Sequence, residues 1–298
     1  MRVLIAYDGS AGAAQAVALV AVVNWPAGSA LRVVSVVEPA ILQLMPWTMG
    51  TTAPQALAAE ALAYVQADQA TVVGRLSAPD RVVDAVLSRD RPASALVDQA
   101  REFSADLVIV GSRGHGPITS LLLGSVSSEV VDHADCPVLV ARRATLQRVV
   151  FATDGSQSAD AAEEVLARWP IFAALPIRVA SIADVVRPWT TGVAPTMYTQ
   201  ALDAYAKDLA HAEAEHLAIA KASAKRLAEA GRRADAEMRT GDAAAEILAV
   251  AQAWGADLVV IGSRGQTGIK RSVMGSVARN VVTAAGASVL IVHRPAED

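Results

Sequence analysis

DLVIVGSRGHGPITSLLLGS, residues 106–125, has a pattern that occurs a second time as DLVVIGSRGQTGIKRSVMGS, residues 257–276. In each copy an apolar run is followed by glycine, two residues, glycine, nine residues and Gly-Ser. A short, continuous apolar run is typical of a strand that is buried on both faces of a parallel sheet. The glycines that follow it predict a tight loop whose backbone approaches another group closely.

The repeat extends well beyond these two loops. RVLIAYDGS at residues 2–10 matches RVVFATDGS at residues 148–156, and CPVLVARR at 136–143 matches ASVLIVHR at 287–294. Because the matches recur in the same order, they indicate two similar domains and not an array of short repeats. We predict a first domain over residues 1–143, a linker over 144–147 and a second domain over 148–298.

Short apolar runs alternate with helical patterns in each half. In the first half we predict strands at residues 3–6, 31–37, 81–87, 107–110 and 138–141. Ser10 is the predicted N-cap of the first helix, because its hydroxyl can accept a hydrogen bond from the first turn. We expect that helix to stop around Trp25-Pro26. The alternation predicts two doubly wound α/β domains, with helices on both faces of each parallel sheet.

Composition narrows the classes of protein that the chain can belong to. Its 298 residues suffice for two domains, and a net charge of −4 argues against a nucleic-acid partner. No apolar run reaches the ~20 residues that cross a bilayer, and we recognise no secretory signal. The single cysteine, Cys136, excludes an internal disulfide and fits a reducing compartment. We therefore expect a cytoplasmic protein with no membrane partner.

The glycine loops predict a phosphate site. In doubly wound sheets, ligands bind beyond the carboxyl ends of the strands, where these loops begin. Gly111 and Gly114 permit close approach of the backbone, and Gly124-Ser125 opens a helix whose free amides favour an anion. The predicted phosphate-binding backbone also includes Val126. The second half repeats the set as Gly262, Gly265, Gly275, Ser276 and Val277.

Side chains near the loops extend the predicted site. Arg113 and Arg264 supply positive charge, and Ser127 supplies a second hydroxyl donor beside Ser125. Asp8 and Asp154 end the first strand of each half, where a carboxylate can hold ribose hydroxyls or a metal that bridges phosphates. Two alternatives stay open: the aspartates only cap the helices that follow them, and the arginines are only exposed loop charges.

Other candidates favour a structural interpretation. His115 has Gln266 as its counterpart, so we interpret it as a solvated loop residue and not as a catalytic base. The remaining histidines lack metal-ligand spacing. Cys136 precedes Pro137 at the start of a buried strand, which favours packing over redox chemistry. A Walker motif is absent from the sequence, and Asp-Gly-Ser replaces the dinucleotide-binding glycine fingerprint in the first βα turn.

The Asp-Gly-Ser turn, the G-x-x-G-x(9)-G-S loop and the following SVSSEVVDHADCPVLVAR resemble the universal stress protein family, and both halves carry the set. The resemblance implies two tandem flavodoxin-like (adenine nucleotide alpha hydrolase-like) domains, each with a five-stranded parallel sheet. It also implies ATP binding and a part in stress responses; Mg²⁺ is a candidate metal on the position of the two aspartates. In this family the adenine is held largely by the end of the second strand, which is Val36 here and Ile182 in the second half.

The two halves differ at positions that matter for the predicted site. The loop after the third strand usually begins with glycine in the family; Gly241 keeps it, whereas Asp90 replaces it. Ala278 stands where the first half has Ser127. We therefore expect tighter nucleotide binding in the second half, because a carboxylate repels an anionic ligand.

We also expect the two fifth strands to join edge to edge within one chain, since an apolar edge is a pairing template. We further expect the chains to form a homodimer.

The sequence shows no nucleophile–base pair, so it predicts no reaction. The favoured interpretation is an ATP-binding stress protein that acts by nucleotide-dependent regulation or partner binding. The alternatives are a slow ATPase or phosphotransferase, and an interaction module with empty sites.

Overall fold

The structure is a computed structural model, and it describes residues 1–38, 54–114, 123–184, 195–265 and 274–293. His115 and Gln266, in the outer parts of the two glycine loops, lie outside the described residues. No helix in these ranges is long and apolar enough to span a membrane.

The first half alternates strands and helices from its start. Its elements are β1 (Arg2–Ala6), α1 (Ala11–Val22), β2 (Ser29–Val36), α2 (Pro54–Leu76), β3 (Arg81–Ser88), α3 (Pro92–Glu102), β4 (Leu107–Gly111), α4 (Ser125–His133) and β5 (Val138–Ala141). Helix α1 ends before the predicted Trp25-Pro26. Trp25 is buried and its indole Nε1 donates to the carbonyl of Val20 at 2.9 Å, so the chain folds back over the helix end.

The second half repeats this order with a longer helix before its third strand. Its elements are β6 (Val149–Ala152), α5 (Gln157–Arg168), a 3₁₀ turn (Pro170–Phe172), β7 (Pro176–Ala183), α6 (Pro195–Glu229), β8 (Arg233–Thr240), α7 (Ala243–Trp254), β9 (Leu258–Gly262), α8 (Ser276–Ala284) and β10 (Ser288–Val292).

All of these strands belong to one sheet, in the order β3-β2-β1-β4-β5-β10-β9-β6-β7-β8. The strands within each half are parallel, whereas β5 and β10 pair antiparallel with Leu139 opposite Leu290. The prediction of two doubly wound, flavodoxin-like domains is confirmed. The order along the chain reverses between β1 and β4 in the first half and between β6 and β9 in the second, which places a switch-point crevice in each.

Two apolar clusters cover the two faces of the sheet. Along β1, Val3 and Ile5 join the cluster under α1 and α2, while Leu4 joins the cluster under α3 and α4. Successive strand residues point to opposite faces, and both faces are covered. This is why the strands are continuous apolar runs in the sequence.

Candidate functional site

The Asp-Gly-Ser turns fasten each glycine loop to the helix that follows the first strand. In the first half, Ser10 Oγ accepts from the amide of Ala13 at 3.2 Å and donates to the carbonyl of Arg113 at 3.1 Å. In the second half, Ser156 Oγ donates to the carbonyl of Arg264 at 3.2 Å. The N-cap serines therefore also hydrogen-bond to the backbone of the glycine loops, which fixes the position of the start of each loop.

The aspartates of these turns bond to backbone and also face the loops. One carboxylate oxygen of Asp8 accepts from the amide of Ser10 at 2.9 Å, and Asp154 makes the same bond to Ser156 at 3.0 Å. The other oxygen, Oδ2, lies over the loop: a Cβ added to Gly114 would lie 2.8 Å from Asp8 Oδ2. One oxygen therefore holds the turn, the helix caps are Ser10 and Ser156 and not the aspartates, and the other oxygen borders the crevice.

Gly111 and Gly262 are required by packing inside the protein. A Cβ on Gly111 would lie 2.5 Å from the carbonyl carbon of Gly12, and one on Gly262 would lie 2.6 Å from that of Ser158. Side chains essentially never approach backbone this closely. These two glycines let β4 and β9 end against the first turns of α1 and α5, which is a reason that the sequence pattern did not reveal.

Helices α4 and α8 begin without a side-chain cap. Their N-cap residues are Gly124 and Gly275, and neither helix has a side-chain cap hydrogen bond, whereas Ser10 and Ser156 cap α1 and α5. The first amides of a helix lack intrahelical partners and carry the positive end of the helix dipole. Both glycine loops therefore lead into a helix start that can accept an anion.

A cavity of about 720 Å³ opens at this point in the first half. All nine residues predicted for the first site line it: Asp8, Val36, Gly111, Arg113, Gly114, Gly124, Ser125, Val126 and Ser127. Apolar side chains that we did not predict complete one side, among them Val34, Pro92 and Leu96, and Ser128 adds a hydroxyl-bearing side chain. Ser128 lies three residues after Ser125, a helical spacing that could have indicated it.

Ser127 is held differently from what we expected. Its side chain is buried, and Oγ donates to the carbonyl of Gly111 at 2.7 Å. A hydroxyl has one proton, so this group does not donate to a phosphate in the observed conformation. Ala278 fills the equivalent buried position of the second half. The small residue here packs the helix start under the end of the fourth strand.

Charged and titratable groups surround the first cavity. Burial and then the nearby positive charge of Arg113 lower the pKa of Arg142 to about 10. Burial, followed by a 2.9 Å hydrogen bond from the Tyr7 hydroxyl to Asp68, raises the pKa of Tyr7 to about 12. Tyr7 therefore stays neutral near pH 7, while Arg142 stays charged.

The second site has its own electrostatic character. Gly241 has φ 143°, which favours glycine, and a Cβ there would lie 3.3 Å from Oε1 of Glu246 in the first turn of α7. In the first half, Ala95 stands at the position equivalent to Glu246. Asp90 is exposed and accepts from the amide of Arg91 at 2.7 Å. Ile182 is buried at the end of β7. A carboxylate thus borders the glycine of the second half as well, and tighter nucleotide binding in the second half stays a prediction.

Within the described ranges, no three His, Cys, Asp or Glu residues are grouped to hold a metal ion. Mg²⁺ commonly needs only one or two carboxylates together with ligand phosphates. Asp8 and Asp154 fit that requirement by position. Cys136 is a free thiol, and burial followed by the charge of Asp135 raises its pKa to about 11, which agrees with a packing role.

The fold and the two crevices define a class: a tandem α/β protein that joins two doubly wound domains through one continuous sheet. The model of the universal stress protein family matches residues 1–142 and 145–293. The chain therefore belongs to the universal stress protein family and carries its domain twice.

Individual relatives agree with this assignment. A universal stress protein from Thermus aquaticus is 35% identical over 140 residues, which are 47% of this chain and 97% of the relative. One from Mycobacterium bovis is 51% identical over 65 residues, 22% of this chain and 21% of the relative, so that match spans about a fifth of the relative's length. A solved universal stress protein from Archaeoglobus fulgidus has a TM-score of 0.67 at 16% identity and covers 98% of both chains. That similarity concerns the fold.

Proposed function

We propose that the chain binds ATP in the first-half cavity and at the equivalent crevice of the second half, and that bound ATP regulates its conformation or its partners. The observation that carries this proposal is the cavity itself, because nine independently predicted residues line it beside an uncapped helix start. Its volume lies within the roughly 300–1,000 Å³ typical of small-molecule sites.

The cavity has a polar and an apolar side that suit the two ends of a nucleotide. The amides of Ser125 and Val126 and the charge of Arg113 would bind phosphates. The apolar side, with Val34, Val36 and Leu96, suits a purine ring. Asp8 Oδ2 lies where it would accept from ribose hydroxyls or hold Mg²⁺ against the phosphates.

Among the described residues that line the cavity, Asp8 is the only carboxylate and there is no histidine or lysine. Since Asp8 is assigned above to ribose or Mg²⁺, we favour regulation over turnover. Single-turnover hydrolysis of radiolabelled ATP separates this proposal from a slow ATPase or phosphotransferase. The single cysteine is a free thiol, which is compatible with a reducing compartment, and we propose the cytoplasm. We further propose that chains associate as homodimers, which sedimentation measurements would test.

Our first expected result is that ATP binds and stabilises the folded protein, with little effect from CTP or UTP. A ligand that binds only the folded state adds about 2.7 kcal/mol to the free energy of unfolding at roughly a hundredfold excess over its Kd. Calorimetry and thermal unfolding with each nucleotide measure this. Absence of both heat and stabilisation at millimolar ATP would favour the interaction module with empty sites.

The second expected result concerns the charges beside the third strands. Glu246→Ala should tighten ATP binding in the second half a few-fold, since it removes a carboxylate beside Gly241 and installs the residue of the first half. Asp90→Gly should change the first site less, because the Asp90 carboxylate is solvated and screened. Calorimetry of both variants compares the gains. A larger gain from Asp90→Gly would instead support the repulsion between Asp90 and the nucleotide that the sequence predicts.

A further inference from the structure

We infer that the two sites are energetically coupled, through helices α4 and α8 and the residues that follow the fifth strands. This inference rests on the proposed function, because it describes how two bound nucleotides affect each other. The structural basis is an arrangement in which each of these helices starts at one crevice and contacts, near its other end, a side chain that lies beside the opposite crevice.

Arg142 makes the first of these connections. It directly follows β5, in which Ala141 pairs with Gly111, so it lies beside the start of the first glycine loop. Its amide donates to Ser288 Oγ of β10 at 3.0 Å, and its guanidinium donates to the carbonyl of Val282 in α8. Arg142 thus links the first crevice to the helix whose N-terminus forms the second.

His293 makes the corresponding connection from the other half. It directly follows β10, in which Val292 pairs with Gly262 at the start of the second glycine loop. The buried imidazole hydrogen-bonds to the backbone of Val131 in α4 and lies near the charge of Arg264. The two connections are related by the repeat, although the residues differ.

The two helices are also joined directly. Arg279 Nη2 of α8 lies 3.0 Å from Asp132 Oδ1 of α4, and this pair is partly buried. This ion pair and the antiparallel pairing of β5 with β10 form one contiguous contact region, which we call the seam. The seam joins two helices that each begin at a predicted anion site. Displacement of one helix start therefore alters contacts at the other site.

The charges give the coupling its sign. Arg113 and Arg142 are like charges near each other beside the first crevice, and their repulsion disfavours the charged guanidinium of Arg142 that donates to α8. An anion on Arg113 offsets this repulsion, which strengthens the hold of Arg142 on α8 and fixes the helix start at the second site. Binding at either site should then favour binding at the other, because coupling free energies are reciprocal.

Calorimetric ATP titrations of the full chain test the coupling. Gly124→Leu and Gly275→Leu block one site each without adding charge, and give the affinity of the remaining site. The overall two-site association constant of the unaltered chain, divided by the product of the two single-site constants, is the coupling factor. We expect about fivefold or more in the unaltered chain, within the usual range for coupled sites.

In Arg142→Met the coupling factor should fall to about one while both sites still bind. Arg143→Met is the matched control, because Arg143 also crosses the seam but is exposed, and its hydrogen bonds go to Ser288 of β10 and to the carbonyl of Gly286, both outside α8. Arg279→Met provides a second test if Arg142→Met unfolds. Three results would overturn the inference: a coupling factor of one in the unaltered chain, ATP binding at one site only, or a coupling factor that neither Arg142→Met nor Arg279→Met lowers. Absence of any ATP binding would instead refute the proposed function.

Discussion

Gly275→Asp is expected to abolish ATP binding in the second half while leaving the protein at least as stable as before. Gly275 has φ −63°, an ordinary value for any residue, and a Cβ there would meet atoms no nearer than 3.5 Å. Aspartate is among the preferred N-cap residues, and replacing a glycine cap with it adds about a few tenths of a kcal/mol. Its carboxylate would occupy the first-turn amides that the ligand phosphates need and would repel those phosphates.

The matched variant Gly275→Ala separates charge from size, because it adds the same Cβ without a carboxylate. We expect it to weaken binding less than Gly275→Asp does, and Gly124→Asp to reproduce the loss in the first half. Nucleotide stoichiometry from calorimetry and the midpoint of thermal unfolding give the two readouts. Full stoichiometry in Gly275→Asp would mean that the phosphates lie elsewhere.

The fold was predictable because its signals are local and repeated. Continuous apolar runs such as Leu107–Val110 identify buried parallel strands, and the second copy of each run removes the ambiguity of a single one. The end of α1 was predicted too late, since the return of Trp25 to the carbonyl of Val20 is not a local signal. The antiparallel sense of the β5–β10 contact is likewise set by packing between the halves.

The backbone part of the candidate site was predictable from the sequence, whereas the contacts that individual side chains make were not. The spacing of Gly111, Gly114 and Gly124 located the cavity. The sequence did not reveal that Ser127 turns inward to the carbonyl of Gly111, or that Glu246 lies beside Gly241. The first depends on how α4 packs against the end of β4, and the second on the side-chain conformation of Glu246 in the first turn of α7.

The other large effect concerns stability and comes from the first glycine of the loop. Gly111→Ala should destabilise the protein by about 2 kcal/mol or more, because the added Cβ would lie 2.5 Å from the carbonyl carbon of Gly12 and 2.7 Å from its oxygen. Inserting atoms into close-packed structure costs typically ~1–3 kcal/mol, and here the obstacle is backbone that cannot rotate away. Gly262→Ala should do the same against Ser158.

Gly124→Ala, in the same loop, is the control for this effect, since the nearest atom to its added Cβ is at 3.5 Å and its φ is −62°. Urea unfolding of the three variants measures the free energy differences without any ligand. The contrast separates two roles of glycine that look identical in the sequence. Gly111 and Gly262 let β4 and β9 pack against α1 and α5, whereas Gly124 leaves the start of α4 open. If Gly111→Ala were as stable as Gly124→Ala, the close contact with α1 would be relieved at little cost. The first glycine would then serve the ligand, as the sequence alone suggested.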